Sequence, residues 1–278
     1  MTRLFIILLC SSLYSWAHAE GLYLQMLNNT QPSSEQIQKS LKKVEEHKDI
    51  ALREDLEVPP FHKRNKQIPS LGHSFCTTCH LSPPHTKSVR SRTFMNMHTQ
   101  YIACETCHFR PEAVQLSYQW QDTRDGSLVQ ARPELFRVQK PVKKTTQSIQ
   151  PDTMKPEPLP WQEAKAKKIN PFYKVTPFYQ QQAVVLGRNN AFAQETKKLW
   201  ESGGVKEKAA RRALIHAPLS EKGPKCQACH NEEKSLLDLA TLGATAYQMD
   251  KIQNNIISQF FARYKDEKQQ IRIMSLLR

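Results

Sequence analysis

Three pentapeptides in this chain combine nucleophilic thiols with a metal ligand at fixed spacing. They are Cys76-Thr77-Thr78-Cys79-His80, Cys104-Glu105-Thr106-Cys107-His108 and Cys226-Gln227-Ala228-Cys229-His230. Cys-x-x-Cys-His is the attachment signal of a c-type haem: the two thiols add to the porphyrin vinyl groups and the adjacent imidazole ligates iron. Every Cys-x-x-Cys in the chain ends in His. His supplies only 10 of 278 residues, so three such coincidences fall at about one in 20,000 by chance. Two other readings suit paired thiols, namely three disulfides or a zinc ribbon. Neither explains the histidine after each second cysteine. The cofactor expected is therefore three covalently attached haem c, on Cys76, Cys79, Cys104, Cys107, Cys226 and Cys229, with His80, His108 and His230 as proximal ligands.

The other face of each iron decides the chemistry. A second histidine closes the metal and makes an electron carrier; an empty site admits substrate. Outside the leader and the motifs stand His47, His62, His73, His85, His98 and His216. His73 lies three residues before Cys76, a reach of about 10 Å, too short to pass round the porphyrin edge of haem 1. It is the reserve candidate. His85, five residues past His80, reaches about 17 Å and suits a neighbouring haem. His98, eighteen residues past His80 and six before Cys104, suits haem 1 better than haem 2. His216, ten before Cys226, can reach about 35 Å and fold back over haem 3. The expected distal set is thus His98 on haem 1, His85 on haem 2 and His216 on haem 3. His47 sits beside an apolar helix stripe, and His62 lies among basic residues. Met95, Met97 and Met249 read as packing residues.

The elements that must hold these groups are mostly helical. Ser33 to Gln36 resembles a capping box, and Ile37, Leu41, Val44 and Ala51 follow at helical spacing, which predicts a helix over 35–53 ended by Val58-Pro59-Pro60. Residues 20–31 read as irregular. The first two motifs start 28 residues apart, too little chain for separate haem domains. Gln115 to Gln121 alternates in polarity, Asp125-Gly126 is a turn, and Ser127 to Gln130 returns, which predicts a β-hairpin. Residues 138–170 are rich in Lys, Pro and polar residues and read as linker. Phe172, Tyr173, Phe178 and Tyr179 form an aromatic cluster expected to pack against haem edges or the core. From Ala191 the pattern is helical with a break at Gly203-Gly204, and 246–277 reads as a helix packing on haem 3, or alternatively lying on a membrane surface.

The expected fold is mainly α with much irregular loop, cored by haem, with a small β-hairpin in the central region. The expected division is a signal peptide over 1–19, an N-terminal helical segment over 20–70, a two-haem unit over 71–110, a haem-free central region and linker over 111–211, and a third-haem unit with a C-terminal helix over 212–278. The leader carries Arg3, an apolar run from Leu4 to Leu9 and an Ala17-His18-Ala19 cleavage site, the pattern of a cleaved secretory signal. Its apolar run is well short of the roughly 20 residues of a membrane span. Export to the periplasm follows, and cleavage would remove Cys10, leaving only motif cysteines. Hydrophobic residues make up 39% of the chain, a thin core unless flat apolar porphyrins complete it. The net charge is +14, and about six propionates would not neutralise it. An acidic redox protein, a membrane oxidoreductase or an anionic membrane surface fits such a charge. No nucleic-acid motif is present.

The words around the motifs add to this. Phe75 to His80, then Pro84-His85-Thr86, Asn96-Met97-His98 and Cys104 to Phe109 resemble exported multihaem cytochromes c of bacterial respiratory chains, and Ile215-His216 with Gly223-Pro224-Lys225 before the third motif is similar to the haem-bearing end of such proteins. The likeness covers 71–110 and 212 to about 243. It implies closely packed bis-histidine haems in the periplasm passing electrons to or from membrane or periplasmic oxidoreductases. Two other functions stay open. One is a multihaem reductase with one open haem site, though no motif ends in Lys and no mature cysteine lies outside a motif. The other is a haem-bearing subunit of a larger oxidoreductase complex, docked through its long cysteine-free centre.

Overall fold

A computed structural model describes residues 20–46, 74–80, 85, 89–136, 170 and 172–254. The leader, His47, His62, His73, Val58 to Pro60, almost all of the 138–170 linker and the tail beyond 254 lie outside the described residues. Ten described elements matter here: helices α1 (Leu22–Asn28), α2 (Ser34–Glu46), α3 (Cys76–Cys79), α4 (Val89–His98) and α5 (Cys104–His108), strands β1 (Ser117–Asp122) and β2 (Tyr173–Tyr179), and helices α6 (Ala191–Ser202), α7 (Val205–His216) and α8 (Ala246–Gln253). A two-residue strand β3 (Gln182–Ala183) and single 3-10 turns at Pro133–Leu135 and Cys226–Ala228 complete the set.

The capping box read from the sequence opens α2: Gln36 N–H donates to Ser33 Oγ (3.2 Å) and Ser33 N–H to Gln36 Oε1 (2.8 Å). Ile37, Leu41 and Val44 are half-buried on one face with buried Ser40. That face lies along α7, where Arg212 donates to Ser40 Oγ (3.0 Å). The break at Gly203-Gly204 falls as expected between α6 and α7. Asn190 caps α6 by accepting from Phe192 N–H (2.9 Å), and Glu207 reaches back to accept from Gly204 N–H (2.8 Å).

Two expectations are corrected. Residues 22–28 are a helix rather than irregular chain. Two turns are too short to hold themselves in water; α1 forms because Tyr23, Leu24 and Leu27 bury together and the Tyr23 hydroxyl donates to Ile215 O (2.8 Å). The central hairpin is also incomplete. Asp125-Gly126 does turn the chain, with Gly126 at φ +79°, and Asp122 N–H and Val129 N–H pair back to Ser127 O and Trp120 O (2.8 and 2.9 Å). The full ladder of β1, however, is with β2, antiparallel, in register Trp120↔Val175. The central partner of β1 comes from the aromatic segment about fifty residues away, because β2 offers a buried run from Lys174 to Phe178 and residues 127–130 are mostly exposed.

Two apolar clusters result. The first gathers Tyr23, Leu24, Leu27, Phe75, Phe109, Val184, Leu186, Ala193 and Ile215; the second gathers Ile102, Trp120, Leu135, Val175, Leu237, Leu239 and Leu242. The cysteine-free centre is the scaffold of the first two motifs. Phe75 N–H donates to Leu186 O (2.8 Å) and Ala103 N–H to Val175 O (3.0 Å), and Thr106 Oγ1 also donates to Val175 O (2.9 Å). Trp120 Nε1 donates to Leu242 O (2.9 Å), tying β1 to the segment after the third motif.

Gly243 shows how tight that junction is. It sits at φ +89°, and a β-carbon there would lie 2.4 Å from Arg132 N. Gly243→Ala should therefore cost about 1–3 kcal/mol through left-handed backbone and overpacking. Urea denaturation of the purified protein checks this: the midpoint should fall, whereas Gly187→Ala, where a β-carbon meets nothing within 4 Å, should change it far less.

Candidate functional site

Each pentapeptide is a single helical turn. His80 N–H donates to Cys76 O (3.0 Å) and His230 N–H to Cys226 O (2.9 Å), while Phe109 N–H donates to Glu105 O (2.8 Å). One turn places cysteines at i and i+3 on the same face, with the histidine beside them. The six motif cysteines form no disulfide with one another; Cys79 and Cys226 are exposed. Burial pushes the Cys107 thiol up to about 11 and, with Cys107 nearby, the Cys229 thiol up to about 12.

The six histidines singled out from the sequence come together as three pairs, each containing one motif histidine. His80 faces His216 with ring centres 6.2 Å apart and ring planes at 89°. His108 faces His85 at 6.4 Å, with planes at 25°. His230 faces His98 at 6.0 Å, with planes at 85°. Two imidazoles on opposite sides of one metal, each nitrogen about 2 Å from it, have ring centres about 6 Å apart. All three gaps match that span.

The partners of the other ring nitrogens favour the same chemistry. His108 Nδ1–H donates to Ser220 O (2.8 Å), His98 Nδ1–H to Phe94 O (2.7 Å), His216 Nδ1–H to Arg212 O (2.8 Å), and His85 Nδ1–H to Asn96 Oδ1 (2.7 Å). His230 Nδ1–H donates to Ile252 O, from α8. An acceptor oxygen at Nδ1 fixes the proton there and leaves the Nε2 lone pair free for a metal. Burial, the largest cause, lowers the pKa of both His98 and His216, so both stay neutral as ligands must.

The arrangement of distal partners differs from the reach-based expectation at two of three positions. His85 lies opposite His108, as expected. His98 lies opposite His230 rather than His80, and His216 opposite His80 rather than His230. Chain reach is only an upper bound. α7, held along α2, delivers His216 to His80, and the turn after His98 is pinned to β2 through Val175 N–H donating to Tyr101 O (2.8 Å). Met249 packs on the second cluster and Met97 is exposed. Sequence reasoning passed over Asn96, Ser220 and the carbonyls of Phe94, Arg212 and Ile252 as orienting groups. Backbone carbonyls carry no residue signature; only Asn96 could have been found, as a polar side chain between two motif-associated histidines.

Among the described residues no group of three or more His, Cys, Asp or Glu is arranged to hold a metal ion. A haem iron asks the protein for only two ligands, because the porphyrin supplies four. Two arginines near the motifs also keep buried Nε–H groups without a partner among the described residues: Arg110, two residues past His108, and Arg188, which donates to Thr77 O. Such groups suit a propionate. Among the described residues no helix is long and apolar enough to cross a membrane. No protein-family model, curated protein or solved structure matches the chain.

Keeping His98 and His216 neutral has a pH consequence. Their folded-state values lie below the ordinary 6.5, so the unfolded chain binds more protons below about pH 6.5 and stability must fall there as pH drops. Iron ligation would act with the same sign. Urea midpoints measured from pH 8 to pH 5 should be flat above about 7 and decline below about 6.5; a rise on acidification would contradict the buried neutral assignment.

Proposed function

We propose that the chain is a periplasmic trihaem cytochrome c that carries electrons between respiratory or periplasmic redox partners. The observation that carries this reading is the pairing of every motif histidine with a second histidine across a gap the width of one ligated metal. Haem, when bound, supplies a one-electron ferric/ferrous couple. The chain's own residues do the rest. The six motif cysteines would tether the porphyrins. His80 with His216, His108 with His85, and His230 with His98 would supply the two protein ligands of each iron, which would favour low-spin iron and disfavour substrate entry. The oxygens at Nδ1 fix ring orientation and raise ligand basicity.

Export rests on the leader read from the sequence. A partner of acidic character rests on the net charge of +14. One basic surface adjoins a motif: Arg188 and Lys197, with Asn189 and Gln194, line an open pocket beside Thr78, next to exposed Cys79. The paired histidines favour an electron carrier over a reductase with an open haem. Carbon monoxide binding to the reduced protein at even one haem would favour the reductase.

Ring-plane angles give the reading a spectroscopic test, because perpendicular imidazoles leave the iron orbitals near-degenerate and parallel ones split them. The oxidised protein should give two strongly anisotropic low-spin electron paramagnetic resonance signals, from the 89° and 85° pairs, and one ordinary rhombic signal from the 25° pair. His85→Met should remove the rhombic signal and leave the other two. Three rhombic signals, or a high-spin component, would contradict the proposed ligation.

A further inference from the structure

The three motifs do not stand in equivalent positions. The second, Cys104 to His108, touches the surroundings of both others. Toward the first motif, buried Glu105 accepts at Oε1 from Ser74 Oγ (3.1 Å), and Cys76 Sγ lies 3.2 Å from the same oxygen. Toward the third, the carbonyl of His108 accepts from Ser220 N–H (2.7 Å) while its ring donates to Ser220 O. Arg110 Nη2 donates to Lys222 O (3.1 Å). A β-carbon on Gly223 would lie 3.6 Å from Cys107 Cβ. Cys107 and Cys229 pack against the same second apolar cluster.

The apolar clusters divide in the same way. Phe75, just before the first motif, belongs to the first cluster, and Cys229 of the third motif packs on the second. The segment of the second motif contributes to both, Phe109 to the first and Ile102 with Cys107 to the second. The thiols follow suit. One cysteine of the first motif (Cys79) and one of the third (Cys226) are exposed, whereas both cysteines of the second are half-buried.

We propose that the second motif is the hub of the molecule, so that the three haems lie in the order 1–2–3, with haem 2 adjacent to both others and haems 1 and 3 at the ends beside exposed Cys79 and Cys226. The inference rests on the trihaem reading above and adds the spatial order to it. It makes Cys104, Glu105, Cys107 and His108 the residues that set contact between the haems, and the surroundings of Cys79 and Cys226 the surfaces that meet partners.

The order is read from pairwise redox interactions, the change in one haem's potential when another is reduced. These fall with separation as charge interactions do, and the ends of a linear array are about twice as far apart as neighbours. A nuclear magnetic resonance redox titration of the wild-type holoprotein measures all three. Haem 2 is recognised by the near-parallel ring planes of His85 and His108. The 1–2 and 2–3 interactions should each exceed the 1–3 interaction by about twofold or more. Three equal interactions, or a largest interaction that excludes the haem with near-parallel rings, would overturn the order while leaving the trihaem reading intact. A protein without three haem signals would instead overturn that reading. No variant is needed, so no folding failure can obscure the result.

Discussion

Two imidazoles facing each other across the width of one ligated metal are the constraint on which this structure turns. The condition recurs three times, with ring centres 6.0 to 6.4 Å apart. Five of the six rings donate from Nδ1 to an oxygen, and on the proposed reading iron joins the two rings of each pair.

That constraint is met by exchange between segments. His85, just after the first motif, faces the second motif's histidine. His98, just before the second, faces the third's. His216, ahead of the third, faces the first's. The result is a closed cycle in which each histidine pair joins two separate parts of the chain. The remaining scaffold serves this cycle: α2 braces α7 behind His216, β2 pins the chain between His98 and Cys104, and α8 offers the Ile252 carbonyl to His230. Among the described residues the two apolar clusters hold nine and seven buried residues. On the proposed reading, haem attachment would add to the stability of this fold, as metal does in small metal-dependent domains.

Much of this was legible in the sequence, for identifiable reasons. The pentapeptides and the six histidines are local signals of residue type and spacing. The capping box at Ser33, the break at Gly203-Gly204 and the start of α8 at Ala246 are local backbone signals, and each stands where the sequence placed it. Three features were hidden. α1 is too short to have a period of its own and exists through Tyr23 meeting Phe109 and Ile215. The β1–β2 pairing crosses a long insertion, and its β2–β3 turn uses Gln180 and Gln181 at positive φ instead of the Asn-Gly or Asp-Gly pair that marks such turns. The exchange of His98 and His216 depends on where whole helices pack, which chain reach bounds but does not choose.

The most direct test of the account is the mass of the mature protein after export from a host with a working cytochrome-maturation system, measured together with titration of its free thiols. The account predicts the polypeptide mass plus three covalent haems and no reactive thiol at Cys76, Cys79, Cys104, Cys107, Cys226 or Cys229. A colourless protein at the bare polypeptide mass, with those six thiols free or joined in disulfides, would contradict it.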